Sequence, residues 1–314
     1  MTIKGKVKNQ VRYLAQLAAR SGESELRDQR NVDMVLSAVL GGPDALAGIQ
    51  YPVEYVDFLR SCIEPVSHRV EVVKEDSSEA DNAANRFQTL LDQLGGGLPA
   101  VEFSLAREIA LVADQSRSRS EARVFGQWTG DVGFHFTGSS SFGNKGRILV
   151  NIVRFMRSER CLELGTAYGM SALFIVGALK SYAKSGSLAT VEGMEPQFSL
   201  SSSMLKGRCG EAVSCYFGDT EKVLPGLVKT LGSIDFLFHD AGHTREDYIR
   251  DFALVSETLA PGAVVLFDDI RWQPSPRSFE GDPRSYEGWK EVVGHARVRR
   301  AVEVDRMFGL FLVR

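Results

Sequence analysis

The sequence predicts an α/β protein, a mostly parallel sheet preceded by a helical region, and three observations carry that expectation. From Arg147 onward, short apolar strands alternate with helical segments, the rhythm of parallel strands joined by crossover helices. The first of these strands runs into a glycine turn that opens directly onto an apolar helix, Ser171–Leu179. The chain ends in two strands separated by a short turn, which reads as an antiparallel hairpin closing the sheet.

Before Arg147 the periodicity is helical. Apolar residues recur at helical spacing in Val7–Leu17, Val32–Leu40, Val53–Ile63, Ala83–Leu94 and Leu105–Val112. Asn31 and Asp33 offer caps for the second of these, Gly41-Gly42-Pro43 ends it, and Gly95-Gly96-Gly97 with Pro99 ends the fourth. The run Ser116 to Arg123 reads as solvated. Thr129 to Gly146 is rich in glycine and serine yet carries Phe134, Phe136 and Phe142, the composition of a loop that packs on something. The organisation expected is a helical region over 1–128 (lid, substrate or oligomerisation element), a lid loop over 129–146, and a ligand-binding catalytic domain over 147–314. Within that domain the expected strands are Cys161–Leu164, Leu188–Glu192, Val213–Phe217, Ile234–His239, Ala263–Phe267, Val298–Val304 and Phe308–Val313.

Composition narrows the class. The chain has 314 residues, 44% hydrophobic and 25% charged, with a net charge of −3, as in an ordinary globular protein. Basic and acidic residues are near balance in both halves, which argues against a nucleic-acid partner. No stretch approaches the roughly 20 apolar residues of a membrane span, and the basic, amphipathic start lacks the apolar core of a secretory leader. Cys62, Cys161, Cys209 and Cys215 have no C-x-x-C spacing, so reduced thiols are expected rather than zinc. A cytoplasmic enzyme with a small-molecule substrate is the resulting expectation.

The chemistry is read at the carboxyl ends of the strands, where open parallel sheets bind ligands. Residues 159–171, ERCLELGTAYGMS, give E-x-G-x-x-x-G rather than the dinucleotide fingerprint G-x-G-x-x-G. Gly165 permits the tight turn, and Gly169 is read as letting the helix start lie close to a ligand. Glu163 stands where a pyrophosphate would be repelled and a cationic amino-acid moiety favoured, so the ligand expected is S-adenosylmethionine. Glu192, ending the second strand, would accept both ribose hydroxyl protons, with Glu195 three residues on. Asp219 would reach the adenine amino group, and Tyr168 would stack on the ligand's methionine or sulfonium.

The fourth strand ends in His239, Asp240 and His243, and the fifth in Asp268 and Asp269. Asp240, Asp268 and Asp269 would repel one another without a cation or a shared proton, and Mg²⁺ suits three hard oxygen donors. Such an ion would acidify a substrate hydroxyl. His243 is the candidate general base, whereas His239 is expected to pack in the core. The proline-rich Arg271 to Trp289 reads as a substrate-side wall lined by Trp272, Phe279, Tyr286 and Trp289, and His295 to Arg300 as a solvated or edge face.

These motifs resemble a known family. ELGTAYG, TVEG, DFLFHDAGH and LAPGAVVLFDD, with KGRILVNIVR before the first strand, make residues 147–314 similar to class I S-adenosylmethionine-dependent methyltransferases, a Rossmann-like fold. The likeness is greatest to small-molecule O-methyltransferases of the catechol and antibiotic-sugar types. The resemblance implies methyl transfer to a hydroxyl of a small metabolite, with Asp240, Asp268 and Asp269 at the positions of Mg²⁺ carboxylates. The sugar enzymes place a base aspartate two residues after the first metal ligand, where this chain has Gly242, so either His243 takes that role or the chemistry does not use that base. Two alternatives remain at this stage. One is transfer or cyclisation of the cofactor's aminobutyrate part with release of methylthioadenosine, and the other is a non-catalytic binding module with a degenerate fold. Homodimerisation through the helical region is a further expectation.

Overall fold

The computed structural model describes residues 66–76, 81–102, 143–195, 197–271 and 284–314, together with Cys62, helical positions between 104 and 112, and the strand residues 122–124 and 128–130. The expected helices at Val7–Leu17 and Val32–Leu40, nearly all of Val53–Ile63, and most of the candidate lid lie outside these residues. The chain divides into two compact units, residues 1–65 with 100–147 and residues 66–99 with 148–314.

In the first unit, Cys62, Val101, Leu105, Ala106, Ile109 and Val112 are buried, the helical spacing read from the sequence. Burial pushes the Cys62 thiol up to about 12, which removes it as a nucleophile. A short hairpin pairs β2 (Ala122–Val124) with β3 (Trp128–Gly130).

The second unit is an eight-stranded sheet. Its chain order is β1 (Val70–Lys74), α1 (Asn82–Gly96), the end of α2 (Gly143–Met156), β4 (Arg160–Leu164), α3 (Met170–Lys180), β5 (Ser187–Glu192), α4 (Gln197–Cys209) and β6 (Val213–Phe217), continuing with α5 (Thr220–Leu231), β7 (Ile234–His239), α6 (Arg245–Val255), β8 (Leu259–Phe267), α7 (Ser285–Gly294), β9 (Val298–Val304) and β10 (Phe308–Val313). The spatial order is β1-β9-β10-β8-β7-β4-β5-β6. Strands β8, β7, β4, β5 and β6 run parallel, while β10, β9 and β1 add antiparallel partners. The Rossmann-like expectation holds.

Burial explains the strand sequences. Both faces of the central strands are covered, so they read as near-continuous apolar runs rather than alternations. Helix α3 buries nine of its eleven residues, which is why it is apolar all round. Trp289 on α7 is fully buried among Phe267 and Phe311. It lies flat on β10 because Gly309 has no Cβ; one added there would stand 2.6 Å from the indole ring.

Three expectations change here. Strand β1 sits inside the region read as helical, and pairs with β9. That makes β9 an interior strand, so its arginines are not an edge face: Arg299 is 7% exposed and bonds Asp81, and Arg300 bonds Gln88. Trp289 is core, not a substrate wall. The β9–β10 turn places Asp305 and Arg306 at φ 54° and 58°, the geometry of a type I′ hairpin turn. Asp305 is held there by His68 Nδ1 at 2.7 Å and by the Arg69 amide at 2.8 Å. Among the described residues no helix is long and apolar enough to cross a membrane, and none of the four cysteines forms a disulfide.

Candidate functional site

Strand order reverses around β4, which lies between β5 and β7, so the crevice beyond its carboxyl end is where a ligand binds in such sheets. The β4–α3 turn is tied to its neighbours on both sides. Gly165 and Thr166 donate their amides to the Val191 carbonyl at 2.9 and 3.2 Å, and the Asp240 amide donates to the Leu164 carbonyl at 2.8 Å. Gly165 has φ 91°, and a Cβ there would stand 2.1 Å from the Asp240 carbonyl oxygen. Gly165→Ala is therefore expected to cost about 3 kcal/mol or more, read as a fall in the urea midpoint of unfolding.

Gly169, with φ 86°, starts α3, but its missing Cβ faces Met204 and Leu205 of α4 at 2.9 and 3.2 Å. Helix–helix packing, not ligand approach, excludes a side chain at this position.

The acids of the turn occupy different levels. Glu163 has no exposed surface; its Oε2 accepts from Thr190 Oγ1 at 2.5 Å, and that hydroxyl lies 2.5 Å from Thr166 Oγ1. Its carboxyl therefore lies beneath the turn and not at its rim. Glu192 stands at the rim, 7% exposed. Its Oε2 accepts the Ala167 amide at 2.6 Å and its Oε1 the Met194 amide at 2.8 Å, so one carboxylate clamps both the β4 and the β5 turns. Burial raises its pKa, and these backbone bonds oppose the rise. Ala167, at φ 44°, turns its amide to the carboxylate in a left-handed conformation that the sequence did not signal. Tyr168 is 2% exposed, and burial, then the nearby Glu192 charge, raises its phenol.

Asp219 is at the surface beside Gly193, its Oδ1 3.5 Å from where a Gly193 Cβ would be. Its carboxylate bonds Lys222, which lowers its pKa. Glu195 caps the first turn of α4 through the Ser199 hydroxyl at 2.9 Å.

Across the crevice, Asp240, His243 and Asp269 each offer one ligand atom within 4.8 Å of the others. His243 Nε2 is 3.7 Å from Asp240 Oδ1. Asp268, the third acid of the expected triad, lies beside this group in the chain and is placed differently. It is 1% exposed, and its Oδ1 accepts the Asp269 amide at 2.9 Å, shaping the turn instead. Asp269 adopts φ 53°, which aspartate tolerates better than most residues. His239 packs in the core as expected. Its Nε2 meets Asp251 at 3.1 Å, and Thr220 donates to the same carboxylate at 3.0 Å. Burial works to raise the Asp251 pKa, but the bond and charge of His239, with Arg250, outweigh it and hold the carboxyl below its usual value.

The proline-rich wall is described only at its ends. Ser285 Oγ donates to the Ile270 carbonyl at 3.2 Å, and Arg271 and Tyr286 both bond Glu303, at 2.8 and 2.7 Å. Arg271 lies over the Tyr286 ring at 3.5 Å. Trp272 and Phe279 fall outside the described residues.

Residues 162–270, which contain every acid of this crevice, match the family model described as a methyltransferase domain. Solved structures similar to the chain include the O-methyltransferase TomG from Streptomyces achromogenes in complex with SAM, at 23% identity and TM-score 0.45, covering 56% of this chain and 82% of that one. An O-methyltransferase from Bacillus cereus in complex with SAH matches at 18% and TM-score 0.48, covering 72% and 96%. SAH-bound PaMTH1 from Podospora anserina matches at 14% and TM-score 0.49, covering 77% and 100%. No curated protein matches the chain in sequence.

Proposed function

We propose that this chain, whose residues 162–270 match the methyltransferase-domain model, is a class I S-adenosylmethionine-dependent enzyme that methylates a hydroxyl of a small metabolite. The observation that carries this reading is the pairing across one crevice of a rim carboxylate, Glu192, with a base-and-acid cluster, His243, Asp240 and Asp269. When bound, S-adenosylmethionine supplies an electrophilic methyl carbon on a sulfonium. Glu192 accepts the ribose hydroxyls through the lone pairs its two backbone bonds leave over. Asp219 borders the adenine end, and Glu163 sets a negative potential under the amino-acid end. His243 Nε2 takes the acceptor's hydroxyl proton, and Asp240 stabilises the imidazolium that forms. The site otherwise contributes orientation and exclusion of water.

The deciding assay identifies the nucleoside product by mass after incubation with candidate acceptors. S-adenosylhomocysteine is expected. Methylthioadenosine would transfer the reading to attack on the methionine-side carbon, and no product with any acceptor would leave a binding module.

A second reading is favoured by the cluster's composition. Asp240, Asp269 and His243 would hold a divalent cation, and the imidazole nitrogen makes Mn²⁺ or Zn²⁺ as suitable as Mg²⁺. Such an ion would supply Lewis-acid activation of the hydroxyl, with His243 a ligand and not the base. Loss of activity on EDTA treatment, restored by Mg²⁺ or Mn²⁺, supports this reading; full activity after EDTA removes it. In either case Asp268→Asn, which keeps an acceptor for the Asp269 amide, is expected to change kcat by less than about threefold. Asp269→Asn is expected to lower it by about tenfold or more.

A further inference from the structure

Tyr248, on α6, has no exposed surface, and its hydroxyl stands between two groups of the site. It donates to the main-chain carbonyl of Asp268 at 2.7 Å. The same oxygen lies 3.4 Å from His243 Nδ1, a long hydrogen bond. A phenol has one proton, and a carbonyl only accepts. With its proton committed to Asp268, the Tyr248 oxygen meets the imidazole as an acceptor, so the hydrogen between them comes from Nδ1. A neutral imidazole carries a single N–H.

We infer that Tyr248 is a positioning residue that fixes the tautomer of His243, holding its proton on Nδ1 and leaving the lone pair on Nε2. That nitrogen is the one facing Asp240 Oδ1 across 3.7 Å. The arrangement deepens the proposed role of His243, because Nε2 is the atom needed by an acceptor hydroxyl or a cation.

Two features hold the device in place. The Tyr248 ring packs edge-on to Phe267 at 5.0 Å and to His239 at 5.2 Å between centroids. Burial, then the charges of Asp268, Asp269 and Asp240, raise its phenol, so it stays a donor to the carbonyl. The neighbouring chemistry was invisible in sequence because Tyr248 sits five residues after His243 and reads as one apolar position of a helix.

The test uses the intact, substrate-free protein and does not depend on which group is transferred. Long-range ¹H–¹⁵N spectra in mildly alkaline, metal-free buffer report the protonation of each ring nitrogen, and His243→Asn identifies the His243 signals among the five histidines. Wild type is expected to show Nδ1–H with an unprotonated Nε2, and Tyr248→Phe to move the ring toward Nε2–H. A wild-type neutral ring carrying its proton on Nε2 overturns the inference, and this measurement stands even if the variant fails to fold. An unchanged tautomer in Tyr248→Phe also overturns it. Failure of the methyl-transfer reading leaves these spectra unchanged, so the two outcomes are distinguishable.

Discussion

Replacing His243 with asparagine is expected to lower kcat by about 100-fold to 10,000-fold, the span contributed by a positioned general base. Affinity for S-adenosylmethionine is expected to stay within about twofold, because Glu192, the proposed ribose acceptor, ends a different strand. The geometry justifies a large kcat effect. His243 is aimed by its neighbours, with Nδ1 toward Tyr248 and Nε2 toward Asp240. Asparagine keeps a polar group of similar reach but cannot accept and hold a proton near neutral pH. Steady-state kinetics on the identified acceptor, with calorimetric cofactor binding alongside, separate the two effects. An unchanged kcat would remove His243 from the proton path.

Glu192→Gln is expected to raise the Kd for S-adenosylmethionine by about 10-fold to 100-fold, the worth of roughly 1.5–3 kcal/mol for hydrogen bonds to a charged group. The amide has one oxygen to share between the Ala167 and Met194 N–H groups, and its NH₂ faces a donor that the carboxylate now accepts. A pH corollary follows. Burial raises the Glu192 pKa above its usual 4.5, so the folded protein takes up this proton before an unfolded chain does as pH falls. That group's contribution to stability therefore decreases as pH rises from 4.5 through its folded value. On the proposed ribose role cofactor affinity has the opposite sign, because that role uses the carboxylate: affinity is expected to weaken as pH falls through the same window, measurable by calorimetric titration. Glu192→Gln should lose that dependence, and a pH-independent wild-type affinity would remove the ribose assignment.

The parallel half of the fold was legible because its strands are covered on both faces and therefore stand out as apolar runs. Cys161–Leu164 and Ile234–His239 were found to within a residue, and the final hairpin was found whole. Strand β1 was not, because VEVVK is only five residues long, does not alternate cleanly, lies among helical repeats, and gains its meaning only from pairing with β9. The acids of the crevice were legible by position at strand ends, but their roles were not equally so. Asp268 and Asp269 are adjacent in sequence, and a positive φ at the second sends the two side chains to different tasks. Ala167 and Tyr248 gave no signal, since one contributes only an amide and the other looks like a helix-packing residue.

The closure at Ile270 and Ser285 brings two positions fifteen residues apart into one contact. The chain departs from β8 and rejoins the domain within one hydrogen bond of its departure, with Arg271 and Tyr286 fastened to the same glutamate of β9. With both ends fixed to the sheet, the closure entropy of the connection rises by only about 0.6 kcal/mol for each doubling of its length. The junction is therefore a place where the domain can absorb inserted chain at small thermodynamic cost.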